Sequence, residues 1–291
     1  MVEPKSAWTY GNGARKAISH TAPAWLLILP LVVLIGAFYI APLLRVFVLS
    51  VTEPELGLRN FDRVLTSRGS VRVLSTTLRM CAITTVITVA LGFCVALAMT
   101  RVQGMHQRLL VVAVIMPLWI SVLVRGLSWL VLLRDNGLVN GWLMSAGLVN
   151  EPVHFVNSEL GVVIGMVHYL LPFGILPMFS VMQSIDSRLL FASQSLGASP
   201  ATTFLKVYLP LALPGIFAAT IMVFVFGLGF YVTPSLLGGG RVIMLAESVS
   251  SYVLTTARWG LGSAQAVVLL VLTLMLIGIL SKTVGLKRGL G

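Results

Sequence analysis

Apolar and polar positions alternate along this chain in long blocks, and the apolar blocks are long enough to cross a lipid bilayer. The first block alone would measure about 39 Å as an α-helix, against the roughly 30 Å of a hydrocarbon core. Segments rich in Gly, Pro, Asn and charged residues separate the blocks. The pattern predicts six transmembrane helices, over Ala24–Leu49, Leu74–Met99, Leu109–Leu133, Leu160–Val181, Leu211–Leu237 and Leu261–Leu280.

The composition supports an all-α membrane protein. The chain is 57% hydrophobic and only 10% charged, whereas a soluble domain carries roughly 25% charged residues. No cleavable signal peptide is expected, because the first block is too long for a signal peptide and no small-residue cleavage site follows it. We therefore expect a polar tail over residues 1–23, a six-helix domain over 24–281 and a second tail over 282–291.

Charge predicts the orientation. Six spans place both termini on one side, and the side with more Lys and Arg is usually cytoplasmic. Ten basic residues fall on the terminal side: Lys5, Arg15, Lys16, Arg101, Arg108, Arg188, Lys206, Lys282, Lys287 and Arg288. Seven fall in the opposite loops: Arg59, Arg63, Arg68, Arg72, Arg134, Arg241 and Arg258. Both termini are therefore expected in the cytoplasm, and the net charge of +11 reflects membrane orientation rather than nucleic-acid binding.

A polar island at residues 186–216 separates the fourth and fifth blocks. Asp186 or Ser187 is suited to cap a short helix, and Gly197 is suited to the positive φ that ends one. Ser199 and Pro200 form a second helix start. Two proline-containing pairs are then expected to stop this helix and redirect the chain: Leu209-Pro210 and Pro214-Gly215. A rigid helical connector and an ordinary capped loop both fit this pattern.

The island resembles the cytoplasmic signature of binding-protein-dependent ABC importer permeases. Ala192, Gly197 and Leu209-Pro210 match that signature in type and spacing, whereas Phe191 stands where the family usually has Glu and Ser193 where it has Ala. The resemblance implies a type I ABC importer transmembrane domain whose cytoplasmic coupling helix docks on an ATPase subunit. The docking residues that it implies are Phe191, Ala192, Ser193, Leu196, Gly197 and Ala198.

The resemblance also implies the surroundings of the chain. It places the protein in a bacterial inner membrane, in contact with lipid, and pairs it with a second homologous permease. A cytoplasmic ATPase dimer would bind ATP and magnesium, and a periplasmic solute-binding protein would deliver the solute.

Two further stretches are similar to the spermidine/putrescine subfamily of these permeases. The first runs from Pro117 to Asn140 and includes Arg125 and Trp129. The second is Gly229-Phe230-Tyr231-Val232-Thr233-Pro234. Together with the island, the resemblance covers most of the chain from the third block onward and implies import of a small solute such as a polyamine.

The residues for catalysis are missing from the sequence. The triple glycine at 238–240 is followed by Arg241 and Val242 rather than by the Lys of a phosphate-binding loop. His20, His106, His154 and His168 have no metal-ligand spacing. We therefore expect no cofactor in this chain and no enzymatic activity. An ion-coupled secondary transporter is the alternative, but it would need acids inside the membrane, and the predicted spans have none.

Four residues are candidates for the substrate pathway or its gate. Arg125 lies inside the third block, where it either faces a pathway or pairs with a carbonyl or the membrane surface. Phe230 and Tyr231 follow two glycines, and aromatic rings there could close a pore, hold a cation or anchor the interface. Trp129 has the same alternatives. Because the spans contain no acid, either a second permease supplies carboxylates for a polyamine or the solute is zwitterionic or anionic.

Overall fold

A computed structural model of the chain describes the backbone of residues 24–288 and the side chains of residues 28–279. The predicted tail over residues 1–23 and the last three residues of the predicted 282–291 tail lie outside that part. The described part of the chain divides into two compact units, residues 24–45 and 46–288. Throughout the described residues the regular structure is helical.

The first unit is the amino-terminal span. It begins with helix α1 (Ala24–Ile35), continues through a π-helical turn (Gly36–Ile40) and enters α2 (Ala41–Thr52). The helices of the second unit are α3 (Arg59–Thr66), α4 (Arg68–Arg101), α5 (Gly104–Ile115), α6 (Val122–Leu132), α7 (Leu138–Ser145), α8 (Glu159–Gln183), α9 (Ser187–Ser195), α10 (Pro200–Thr203), α11 (Leu209–Leu228), α12 (Val232–Leu237), α13 (Leu245–Ser250) and α14 (Trp259–Arg288).

Membrane-spanning helices occur where the apolar blocks predict them. Five are long and apolar enough to cross a bilayer unaided: Ile28–Thr52, Arg68–Arg101, Glu159–Gln183, Pro200–Leu228 and Trp259–Ile279. A sixth is possible only as a bent pair, Gly104–Trp119 and Val122–Leu132, whose axes differ by 96°. The all-helical fold therefore agrees with the sequence prediction, whereas the third, fifth and last spans differ from it in shape or in their ends.

The third block is not the straight helix that its apolar run predicts. Met116–Trp119 forms a tight 3₁₀ turn that contains Pro117, and Ile120 is extended. Proline has no N–H to continue the ladder, and a 3₁₀ turn changes the direction of the axis. The chain consequently turns by about a right angle before α6 begins at Val122.

The sequence prediction places both ends of the fifth span wrongly. Pro210 and Pro214 do not stop the helix, which runs from Pro200 through a π-helical turn (Phe204–Tyr208) to Leu228. Pro210 lies in the first turn of α11, next to hydrogen bonds that the π turn has already shifted. Packing neighbours let a membrane helix tolerate internal prolines such as Pro214. The helix then ends at Leu228 instead of Leu237, and α12 is a separate short piece.

The last span is longer than predicted. Helix α14 continues beyond the expected end at Leu280 as far as Arg288, so the first part of the predicted 282–291 tail is helical.

Helix α8 forms the centre of the second unit, between α4 and α11. Close approach depends on glycines: a Cβ on Gly92 would lie 2.9 Å from the Met178 side chain. A Cβ on Gly215 would lie 3.1 Å from the Met178 backbone, and one on Gly174 would lie 3.1 Å from Thr88. Lipid provides little hydrophobic drive for helix association, so such small-residue contacts are what hold membrane helices together.

Polar side chains fasten the loops at the end of the bundle that holds α3, α7 and α13. The buried Asn140 bonds both the N–H and the C=O of Val153, at 2.8 and 2.9 Å. Asn60 donates to the carbonyls of Ser50 and Glu53 at 3.1 and 2.6 Å. These bonds pair buried amide side chains with backbone groups of the loops.

Two links join helices across the same end. The Thr77 hydroxyl of α4 accepts from the Leu245 N–H of α13 at 2.8 Å. Arg79 of α4 forms an ion pair with Glu159, the first residue of α8. Arg79, which sits near the end of its apolar block, is thus neutralised by a partner.

We predict that Gly165→Leu destabilises the bundle. A Cβ at Gly165 would lie 2.5 Å from Thr233 and 2.8 Å from Leu237, so a larger side chain must push α12 away from α8. The expected loss is about 1–3 kcal/mol of unfolding free energy, seen as a lower melting temperature in detergent. Gly141→Leu, where a Cβ meets no atom within 4 Å, is the control and should melt like the parent. Equal melting of both variants would contradict the packing argument.

Candidate functional sites: the connector helix and the aromatic layer

Helix α9 joins α8 to α10 at the end of the bundle opposite α3 and α7, and local hydrogen bonds fix both of its ends. The Asp186 carboxylate caps the start by accepting from the Arg188 N–H at 2.9 Å. Gly197 ends the helix with φ +88°, and its N–H bonds the Gln194 carbonyl at 2.9 Å. The Ser199 hydroxyl then caps α10 by accepting from the Thr202 N–H at 3.2 Å. These are the caps that the sequence predicts, and they make α9 a rigid connector helix.

Large apolar side chains are exposed on the connector helix and on the residue that follows it. Phe191 is 65% exposed and Leu196 is 89% exposed. The Ser193 hydroxyl lies 3.0 Å from the Thr203 hydroxyl and ties α9 to α10. Two exposed apolar residues on a short rigid helix are suited to insertion into a groove of another protein.

The predicted docking residues fall together at this end of the bundle. Phe191, Ala192, Leu196 and Gly197 are exposed, whereas Ser193 and Ala198 are half-buried. A Cβ on Gly197 would meet no atom within 4 Å, so the space beside the turn is open. The docking role of these residues stays a prediction, and their surface is accessible to a partner.

A second candidate site lies about halfway along α8, where Arg125 meets aromatic rings. Arg125 is only 5% exposed, so its side chain lies inside the protein. Its guanidinium donates to the carbonyls of Pro117 and Ile120 at the break in the third span, where the Pro117 carbonyl also accepts from the Ile120 N–H. The same group lies over the Tyr169 ring, 4.7 Å from the centroid. Arg125 therefore secures the break and forms a cation–π contact with α8.

Aromatic rings from α8 and α11 continue this contact into a layer. Tyr169 meets Phe230 edge to face at 4.9 Å between centroids. Phe173 lies beside Tyr169 at 6.3 Å and meets Phe226 at 4.7 Å. Phe230 is buried, and it occupies the non-helical link between α11 and α12. We name Arg125, Tyr169, Phe173, Phe226 and Phe230 the aromatic layer.

The other two pathway candidates lie differently. Trp129 donates its indole N–H to the Nδ1 atom of His168 at 3.0 Å, beside the layer. Tyr231 is 43% exposed, and its backbone carbonyl accepts from Ser235 at the start of α12. The structure thus brings Arg125 and Phe230 together through Tyr169, with Trp129 alongside, and leaves the Tyr231 ring on the surface.

Sequence reasoning missed Tyr169, which connects the predicted residues. Its position in an unbroken apolar block gives no local signal, because aromatic residues are common in buried helices. The one available signal was that Tyr169 directly follows His168, a titratable residue within the fourth span.

Glu247 is a further residue that the sequence did not single out. It lies in α13, three residues after Met244, which belongs to the same buried cluster as Phe230. Its Oε2 atom is buried without a hydrogen-bond partner. Burial raises the pKa of the Glu247 carboxyl, while a backbone hydrogen bond from Met244 opposes the rise. A carboxyl in such a place gains from a nearby cation.

Among the side chains that the structure describes, no three His, Cys, Asp or Glu residues lie close enough together to hold a metal ion. Neither candidate site therefore has the ligand set of a metal centre.

Known proteins share both the sequence and the fold of this chain. Residues 88–285 match the family described as "Binding-protein-dependent transport system inner membrane component". A spermidine/putrescine transport system permease protein of Haemophilus influenzae is 35% identical over 71% of this chain and 72% of its own length. The corresponding Escherichia coli protein is 30% identical over 70% of this chain and 75% of its own length.

A solved structure shows the same fold. The bacterial ABC transporter for import of the acidic polysaccharide alginate contains a chain that superposes with a TM-score of 0.71. The match covers 89% of this chain and 94% of that chain at 17% identity. From its family match and its relatives, this chain belongs to the binding-protein-dependent transport system inner membrane components and is a permease subunit of an ABC importer.

Proposed function

We propose that this permease imports a polyamine or a related amine across a bacterial inner membrane, driven by a separate ATPase that docks on the connector helix. The permease would work beside a second homologous permease and receive its solute from a periplasmic binding protein. ATP and magnesium would bind to the ATPase dimer. Both termini, and therefore the connector helix, would face the cytoplasm.

The exposed apolar face of α9 is the observation that carries the ATPase proposal. Phe191 and Leu196 extend from a helix whose two ends are capped, so a partner that grips them moves the whole helix. Phe191 stands where the family usually has an acid, and its ring would fill an apolar groove instead of pairing with a base. ATP-driven closure of the ATPase dimer would then pull on α9, and α8 and α11 would carry the movement into the bundle.

The aromatic layer supports a cationic solute. The Tyr169 ring holds the Arg125 guanidinium by its face, and the rings of Tyr169 and Phe230 can hold an amine in the same way. Glu247 adds a carboxylate oxygen without a partner, near the same cluster. The polyamine assignment itself rests on the two relatives named as spermidine/putrescine permeases.

Ion-coupled transport is not favoured. Within the described spans the only acid is Glu159, at the very start of α8 and already paired with Arg79. A coupling ion would need acids or carbonyls deeper in the bundle, and the carbonyls of the broken third span are taken by Arg125.

Proteoliposomes test this function directly. We expect vesicles that hold the permease, its co-expressed ATPase partner and the other transporter subunits to accumulate spermidine only when ATP and the binding protein are present. Vesicles with the permease but no ATPase serve as the control. Uptake in that control under an ion gradient would contradict the ABC mechanism, and ATP-dependent uptake of an anion instead of spermidine would contradict the solute assignment.

We expect Gly197→Asp to separate ATP hydrolysis from uptake. The substitution places a charged side chain in open space beside Leu196, on the face proposed for docking, and strains a backbone at φ +88° by about 1 kcal/mol or more. Membrane insertion should be normal, while uptake per ATP hydrolysed should fall at least tenfold. Gly147→Asp is the matched control, since Gly147 also has positive φ (+68°) and open surroundings but follows α7 at the other end. Normal coupled uptake by Gly197→Asp would refute the docking assignment.

Removing a ring from the aromatic layer should make the closed permease leak. We expect Phe230→Ala to raise spermidine leakage in the absence of ATP, because the buried ring that meets Tyr169 is lost. Phe93→Ala, which removes an edge-to-face pair with Phe204 elsewhere in the bundle, controls for general loosening. Tyr231→Ala should leak less than Phe230→Ala, since the Tyr231 ring is partly exposed. Equal leakage from Phe230→Ala and Phe93→Ala would argue against a sealing role.

A further inference from the structure

A cavity of about 570 Å³ lies between the connector helix and the rest of the bundle. Its walls come from the end of α4, the start of α5, the end of α8, the inner face of α9 and the π turn ahead of α11. On α9 the lining residues are Ser187, Leu190 and Gln194, which recur at helical spacing, whereas Phe191 and Leu196 do not line the cavity. The cavity therefore lies against one side of α9, and the two exposed apolar residues proposed for docking are outside its lining. Its volume falls within the range of small-ligand sites.

The lining mixes polar and apolar residues and carries a single full charge. Four glutamines contribute amide groups: Gln103, Gln107, Gln183 and Gln194. Arg101 supplies the charge, and none of the lining residues is acidic. The one acid in the neighbouring segments, Asp186, already caps α9. The cavity thus combines one guanidinium with many neutral donors and acceptors, a set suited to an oxyanion.

A buried hydroxyl without a partner belongs to one of the lining residues. Tyr208 lines the cavity and is only 8% exposed, yet its hydroxyl makes no hydrogen bond. A bound acceptor within reach of this hydroxyl would satisfy it. The ring is held in place by stacking on Phe204 at 5.6 Å, so the hydroxyl cannot easily turn elsewhere.

We infer that this cavity binds the phosphate group of an anionic ligand between Arg101, Gln194 and Tyr208. Arginine pairs well with phosphate oxygens, and the phenol and amide groups can donate to the remaining oxygens. Basic pockets between membrane helices on the cytoplasmic side are places where anionic lipid headgroups bind. The phosphate can come from such a headgroup or from the cytoplasm as a free ion, and the chemistry of recognition is the same for both.

A bound phosphate would tether the connector helix to the bundle. The hydroxyl pair of Ser193 and Thr203 joins α9 to α10, and the cavity separates α9 from the end of α4. A phosphate that bridges Arg101 of α4 and Gln194 of α9 spans this gap. With the ligand bound, α9 would move less by itself, and more of its movement would be passed on to the membrane-spanning helices. This consequence rests on the proposed coupling function, whereas the binding itself does not.

Binding is tested on the purified full-length chain, without the ATPase. By native mass spectrometry, the parent should retain phosphatidylglycerol in preference to phosphatidylcholine. Arg101→Gln and Tyr208→Phe should each weaken retention about tenfold. Tyr208→Phe removes one oxygen atom and keeps the stacked ring, so it should fold. Arg108→Gln is the control, because Arg108 is exposed at the same end and does not line the cavity.

Inorganic phosphate distinguishes the two sources. In phosphatidylcholine nanodiscs, free phosphate that raises the melting temperature of the parent but not of Tyr208→Phe would identify a soluble ligand. Selective lipid retention without a phosphate effect would identify a headgroup. Either result supports the site. The site is refuted if neither probe binds, or if Arg101→Gln and Tyr208→Phe bind both probes as the parent does.

The tether is tested in proteoliposomes that contain the ATPase. Uptake per ATP hydrolysed by the parent should be higher in vesicles that contain phosphatidylglycerol than in vesicles that lack it. If free phosphate is the bound probe, added phosphate should raise the same ratio. Tyr208→Phe should show neither increase. An unchanged ratio in a variant that has lost binding would refute the tether and leave the site standing. Absence of ATP-dependent uptake by the parent would instead refute the proposed function, and the binding results would be unaffected.

Discussion

Close backbone contact between α4, α8 and α11 is the constraint on which the rest of this structure depends. The three helices meet around Met178, and Gly92 and Gly215 face it from either side with no room for a side chain. Within a bilayer, dispersion contacts of this kind replace the hydrophobic effect as the force between helices. A bundle held by contacts this close moves in discrete steps, because packed interfaces have few intermediate arrangements.

The connector helix and the aromatic layer are both attached to helices of this contact, α8 and α11. Helix α8 carries Tyr169 near its middle and leads directly into α9, while α11 begins behind α9 and ends at the link that holds Phe230. A displacement of the connector helix therefore reaches both sides of the Tyr169–Phe230 contact along continuous helices. The sites are separated by roughly half the length of α8, yet no flexible loop lies between them.

The parts of the fold that sequence could predict are those determined locally. Asp186, Gly197 and Ser199 cap α9 and α10 as expected, because each cap involves a side chain and a backbone group only a few residues apart. The membrane spans could also be predicted, since the thickness and the apolar character of the bilayer determine their length and composition. The family-like stretches also led to Arg125 and Phe230, which the structure places in one layer.

What the sequence could not supply depends on contacts between distant segments. Pro117 breaks its helix whereas Pro214 does not, and local sequence does not distinguish them. The difference lies in the surroundings: buried Arg125 donates to carbonyls at the break near Pro117, and tight packing of Gly215 against α8 supports the turn around Pro214. Tyr169 and Tyr208 were hidden for the same reason, since only the folded chain brings Tyr169 to its partners and Tyr208 to the cavity.

The bend in the third span also changes the membrane around it. The segment Gly104–Trp119 measures only about 25 Å, which is shorter than a typical hydrocarbon core. Trp119, 86% exposed, lies at its end, where an indole ring favours the boundary between lipid tails and headgroups. Such a hydrophobic mismatch would be relieved where the bilayer thins along this flank. A thinner bilayer there would bring water closer to Arg125 than a straight span would, and the sealed distance that a solute must cross would be shorter than the membrane is thick.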